Sequence, residues 1–163
     1  MPVIEIDGKK LAQSKAILRY IFMRQNQYPT DPYEIYRIES LVDLFLDLAN
    51  GMEQAYESDK ENGEEACMKW IKANFPKRLA QLTKRLEANS NQDYLVGDKL
   101  SMADVLFVDL RYSSFKSSPP EQVEEIFGPF PKLTAYFEKR KADFQKRFDS
   151  RPDYFVWELI RNI

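Results

Sequence analysis

The sequence predicts a mainly α protein, an all-helical body preceded by a β-hairpin and one short helix. Three observations carry that prediction. Apolar residues recur at steps of three and four from Ile35 through Ile38, Leu41, Val42, Phe45, Leu48 and Ala49 to Met52, the period of a helix face. A second long stretch, Glu64 to about Asn89, places Trp70, Leu79, Leu82 and Leu86 inward on the same period. Strand-like alternation is confined to the opening, where Val3 and Glu5 alternate with Ile4 and Ile6.

The elements follow in order. Asp7-Gly8 after the first strand suits a tight hairpin turn, because Gly accepts positive φ, and Lys10–Ala12 returns as the partner strand. Ser14 stands where a helix N-cap belongs, and Ala16, Ile17, Tyr20 and Ile21 mark one face of a helix reaching about Arg24. Gln25–Pro32, with two prolines, reads as a linker, and Pro32 suits the first turn of the long helix. A loop around Ser58–Gly63 precedes the second long helix, where Pro76 should produce a kink, since it lacks an N–H and crowds the preceding turn. Shorter helices are expected over Met102–Phe115, Glu121–Phe127 and Lys132 to about Phe148, and the aromatic tail RPDYFVWELIRNI is expected to pack back on the bundle. A lone hairpin is marginal in water, so two strands on a helical body make sense as the end of a larger sheet.

Composition excludes several function classes. A chain of 163 residues can bury roughly 70% of its extended surface, so no disulfide or metal staple is needed. With 44% hydrophobic and 31% charged residues and a net charge of −2, nothing favours nucleic acid or an acidic membrane as partner. Cys67 is the single cysteine and histidine is absent, which removes disulfide frameworks, Cys- or His-based metal sites and His-dependent triads. No apolar run approaches the ~20 residues of a membrane span and no signal-peptide pattern precedes Pro2, so a cytoplasmic location is expected.

Three features converge on a family. They are the opening strand–turn–strand–helix with Gln13-Ser14 before KAILRY, the segment YLVGDKLSMADV at Tyr94–Val105, and the order of a sheet fragment, a Pro-flanked linker and a helical body whose second long helix carries Pro76. Together they resemble the glutathione transferase family, and its sigma-like, prostaglandin D synthase-like branch in particular. The resemblance implies that residues 1–26 are the last two strands and last helix of a thioredoxin-like domain, and that residues 31–163 are the family's C-terminal helical domain. It also implies that the first β-α-β unit, which takes ~30 residues or more, is lacking here. Either it was lost, or the coding sequence continues upstream of Met1.

Candidate site residues follow. A helix N-terminus offers unpaired N–H groups and a positive dipole end, which favour a carboxylate. The resemblance implies that Gln13 and Ser14 hold the γ-glutamyl end of glutathione there. The structural alternative makes Ser14 a plain cap and Gln13 a surface residue. Pro2 matches the family's cis-proline, whose preceding residue pairs with the cysteinyl part of glutathione, although a frayed terminus is the simpler reading. On the long helix Asp43, Asp47, Asn50 and Gln54 share one face, either a solvated stripe or a subunit interface. The resemblance implies that Asp47 reaches glutathione bound by the other subunit of a homodimer. Some relatives hold a divalent cation on three carboxylates there. Two of these match Asp43 and Asp47 but the third matches Leu46, so no metal is expected. Ser101-Met102-Ala103-Asp104 is a capping box and is read as structural. Cys67, with Lys69 nearby but no activating partner, reads as a bystander thiol.

The family reaction is conjugation of glutathione to small hydrophobic electrophiles, or isomerisation of a prostanoid-like substrate. It depends on a Tyr hydroxyl that stabilises the glutathione thiolate, and no residue here matches it. The polypeptide as written is therefore expected to be weakly active or inactive, with no assignable catalytic residue. The alternative is a non-catalytic scaffold or protein-interaction module built on the same helices.

Overall fold

In the computed structural model Asp7 and Gly8 both adopt positive φ, 52° and 72°, as a two-residue turn of the hairpin hand requires. The model describes residues 3–116 and 118–149. The RPDYFVWELIRNI tail, expected to pack back on the bundle, and Pro2 lie outside these. Strands β1 (Val3–Ile6) and β2 (Lys9–Ala12) pair antiparallel, Val3 opposite Ala12 and Ile6 opposite Lys9. Ile4 lies opposite Leu11 and both are half-buried, so the hairpin has one apolar face. Arg24 pairs with Asp7 at 2.9 Å and ties the turn to the end of the next helix.

Six helices follow: α1 (Ser14–Arg24), α2 (Pro32–Ser58), α3 (Gly63–Ala88), α4 (Met102–Phe115), α5 (Pro120–Phe127) and α6 (Pro131–Asp149). Helix α2 starts as expected, with Pro32 in its first turn and the Asp31 carboxylate accepting from the Glu34 N–H at 2.8 Å. Helix α3 runs through Pro76 without a break. Helices α2 and α3 lie side by side, and the contact is close at Gly51. A Cβ built there would stand 2.1 Å from the Trp70 ring. Trp70 is accordingly half-buried over Gly51 rather than fully inward, with an edge-on contact to Phe75. The core joins α2, α3 and α4 through Leu41, Val42, Leu82, Phe107 and Val108, with Leu133 and Phe137 closing it from α6.

Two expectations about α1 need correction. Its N-cap is Gln13, at φ 73°, and Ser14 is the first helical residue. Its buried positions are Ile17 and Phe22, whereas Ala16 is exposed. The reason is the second neighbour: α1 packs on β2 and on α4, and Phe22 joins the bundle core while the β2 side covers little of the helix.

The loop between α3 and α4 is held by two buried polar side chains. Asn89 donates to the carbonyls of Asn91, Tyr94 and Gly97, and its oxygen accepts from the Gly97 N–H and from Arg37. Asp104, fully buried, completes the capping box with Ser101. Its carboxylate accepts from the Ser101 N–H at 2.7 Å, the Ser101 hydroxyl at 2.6 Å, the Leu95 N–H at 2.8 Å and the Tyr136 hydroxyl. Burial, with the Asp104 charge second, pushes the Tyr136 phenol far above its usual range and keeps it a donor.

The hairpin and α1 are mounted on α2 by a second polar group. Arg19 donates to both oxygens of Glu39, at 2.8 and 2.6 Å, and the Tyr28 hydroxyl donates to the same carboxylate at 2.6 Å. The Arg19 guanidinium, its strongest influence, holds the Glu39 carboxyl below the usual range, while burial foremost raises the Tyr28 phenol.

Two outcomes are expected. Asp104→Ala strands four buried donors and should lower unfolding free energy by about 3–5 kcal/mol, read as a fall in the urea midpoint at constant slope. Glu39 has a depressed folded pKa, so its contribution is present above the unfolded glutamate value of about 4.3 and is lost as pH falls through the folded value. Wild type should therefore exceed Glu39→Gln by about 1–2 kcal/mol at pH 7, and the gap should narrow markedly by pH 3. An equal gap at both values would refute the clamp.

Candidate functional site

The site starts from a backbone outlier. Gln13 lies at φ 73° and ψ 105°, a conformation that side chains with a Cβ rarely adopt and that costs of order 1–3 kcal/mol. It sits between β2 and α1, where the chain must turn from an extended strand into a helix within one residue. Gln13 makes no side-chain cap, although its carbonyl accepts from the Ile17 N–H at 2.9 Å. In helix geometry the N–H groups of Ser14, Lys15 and Ala16 then have no intrahelical acceptor, and no acidic side chain stands in the first turn to neutralise them. Gln13 and Ser14 are both exposed. The corner thus places first-turn backbone N–H groups, the Ser14 hydroxyl and the Gln13 amide together at the positive end of a helix.

The α2 stripe lies beside this corner. Asp43, Asp47, Asn50 and Gln54 are all exposed, as their spacing predicts, while Leu46 is half-buried and packs against the core. Lys15, next to Ser14, reaches Asp43 at 3.8 Å, and Asp47 follows one turn along the same face. Sequence reading found Asp43 and Asp47 but missed Lys15, which links them to the head of α1. It also missed the Arg19–Glu39–Tyr28 group that sets the angle of α1. Those partners are 20 and 11 residues apart, and no local pattern announces them.

Other candidates fall away on geometry. Cys67 is buried, and burial pushes its thiol up to about 11, so it holds little thiolate at neutral pH. Among the described residues no three His, Cys, Asp or Glu gather as a metal site would need, and no helix is long and apolar enough to cross a membrane. Pro2 lies outside the described residues.

Comparison with known proteins places this arrangement. Residues 47–145 match the family model described as glutathione S-transferase, C-terminal domain. Glutathione S-transferase alpha-5 of Rattus norvegicus is 35% identical over 138 residues, covering 83% of this chain and 58% of its own length. Glutathione S-transferase 2 of Manduca sexta is 32% identical over 149 residues, covering 85% of this chain and 72% of its own. Among solved structures, the monomeric Na-GST-3 of Necator americanus superimposes with a TM-score of 0.76 at 27% identity, covering 94% of this chain and 75% of that one. The chain therefore spans little more than half the length of the rat relative, 58%. The helical bundle, the matched segment and the insect relative agree, and the chain belongs to the glutathione S-transferase family.

Proposed function

We propose that this chain binds glutathione at the head of α1, as part of a glutathione transferase that conjugates the tripeptide to small hydrophobic electrophiles. The observation that carries the reading is the strained turn at Gln13 (φ 73°), where the first N–H groups of α1, without intrahelical acceptors or an acidic neighbour in the first turn, stand beside two exposed polar side chains. The γ-glutamyl carboxylate accepts from the Ser14 N–H and hydroxyl, and the Gln13 amide adds a further donor. Asp47 of a partner copy, being acceptor-only when ionised, meets the γ-glutamyl ammonium across a homodimer. Pro2 and its neighbour would line the cysteinyl part.

The sigma-like placement rests on the opening with Gln13-Ser14, the segment Tyr94–Val105 and the order of elements, and it competes with the alpha-class name of the rat relative. Conjugation also requires the sulfur to be ionised. A free thiol of pKa about 8.5 is only a few per cent thiolate at neutral pH, and no residue here matches the Tyr hydroxyl that the resemblance implies.

Calorimetric titration with glutathione tests this directly. Ser14→Ala should weaken binding about tenfold through the lost hydroxyl bond to a charged group. Gln13→Gly should weaken it too, while leaving thermal stability equal or higher, because glycine accepts the positive φ without strain. Asp47→Asn should matter only at protein concentrations where sedimentation shows a dimer. Unchanged affinity in both Ser14→Ala and Gln13→Gly would turn the reading toward a helical scaffold that does not bind the tripeptide.

A further inference from the structure

The hairpin and α1 are fastened to the bundle by little buried surface. Of residues 3–24 only Ile17 and Phe22 are buried, and Phe22 is the one that enters the bundle core, with Leu18 half-buried against it. The polar ties are the Arg19–Glu39 fork, at 2.8 and 2.6 Å, and the long Lys15–Asp43 pair at 3.8 Å, whose side chains are both well exposed. Exposed ion pairs contribute little, so Phe22 and the fork carry most of the attachment. The helical body does not lean on that attachment in return. Helix α2 starts on its own signals, Pro32 in its first turn and the Asp31 carboxylate on the Glu34 N–H. Leu41, Leu82, Phe107 and Leu133, the buried Asp104 and the buried Arg111, 4.3 and 4.0 Å from the ring centres of Phe127 and Phe137, all belong to α2–α6. Between the two parts the chain leaves α1 through Asn26 at φ 55°, a left-handed conformation that asparagine adopts at lower cost than most residues.

We propose that the hairpin and α1 form a hinged strap that swings away from an intact helical body about residues 25–30, with Glu39 as its latch. Segments held by few buried apolar contacts and by solvent-accessible polar ones open at a lower free energy than the whole molecule. Glu39 suits the latch because it takes donors from both sides of the hinge, Arg19 in the strap and Tyr28 in the linker. Opening parts Lys15 from Asp43 and carries Gln13 and Ser14 away from the α2 stripe, so the corner is assembled only while the latch is closed. That consequence for ligand binding rests on the glutathione reading, whereas the opening itself does not.

Native-state hydrogen exchange of the full chain, followed amide by amide by NMR, tests the strap. The α1 amides should share one opening equilibrium, at least about tenfold more populated than that of the α3 and α4 amides, and the hairpin should exchange no more slowly than α1. Ile71→Val, a small truncation of a buried α3 side chain, should quicken α3 and α4 several-fold and leave α1 unchanged, because the open form keeps the body folded. Glu39→Gln should quicken every α1 amide roughly five- to tenfold. Saturating glutathione should slow α1, since it binds the closed form. If α1 opens in this way but glutathione does not slow it, the glutathione reading fails and the strap stands. Exchange of α1 as slow as that of α3, an equal response of α1 and α3 to Ile71→Val, or a Glu39→Gln effect confined to the turn around Arg19 would each overturn the strap.

Discussion

The bundle depends on one buried carboxylate. Asp104 is fully buried, and four donors from three parts of the chain converge on it: the loop at Leu95, the start of α4 at Ser101, and α6 at Tyr136. A charge removed from water is tolerated only where its lone pairs are met, and here they are. That requirement fixes the loop between α3 and α4, because Leu95 must bring its N–H to the carboxylate. It also fixes where α6 crosses α4, because Tyr136 must bring its hydroxyl. An apolar residue at the same place would pack but would not demand a unique arrangement. Asn89 repeats the principle one layer out by binding three loop carbonyls with one amide, and Gly97 closes that loop at φ 70°, against the Glu34 carboxylate.

The candidate glutathione corner is set by a different pairing. The hairpin buries little apolar surface, and its strands cannot hold α1 in place unaided. The fork of Arg19 on Glu39, joined by Tyr28 from the linker, orients α1 on α2, while Phe22 anchors it in the core. With the helix held at both levels, the chain leaving β2 must enter it abruptly, and Gln13 absorbs the turn at positive φ. The strain is thus sustained by contacts elsewhere, at a helix head with no side-chain cap and no acidic residue in its first turn. Ser14 has a hydroxyl free of capping duty for the same reason: the cap position falls one residue earlier than the serine pattern suggested.

How much of this could be read from the chain varies with the range of the physics involved. The helices were legible almost to the residue, Met102–Phe115 included, because a period of three to four and a Ser-x-x-Asp cap are local signals. The Asp-Gly turn was legible because only two residues decide it. The buried face of α1 was misjudged at Ala16 and Phe22, since a helix between a thin hairpin and a thick bundle does not bury a symmetric stripe. The Gln13 outlier had no signal, because glutamine has no preference for positive φ and the turn is imposed by how α1 is docked. Arg111 was hidden for a related reason. In sequence it is an ordinary arginine in LRYSS, and only the rings of Phe127 and Phe137, which follow it by 16 and 26 residues, make it a buried cation.

The family match itself divides the molecule along these lines. It covers residues 47–145, the segment that contains Asp104, the α3–α4 loop and Arg111, but of the proposed glutathione contacts it includes only Asp47. The bundle therefore carries the family's shape, and the corner at Gln13 and Ser14 inherits its position from the bundle through Glu39 and Phe22. The placement of the corner consequently depends on how firmly α1 is docked, without any change in the residues at the corner itself. Arg19 and Arg111 show the two fates of a cation in this fold. The first is joined to a carboxylate and spends its charge on geometry. The second lies between aromatic rings with one nitrogen unanswered, so its charge is offset by ring faces rather than by a carboxylate.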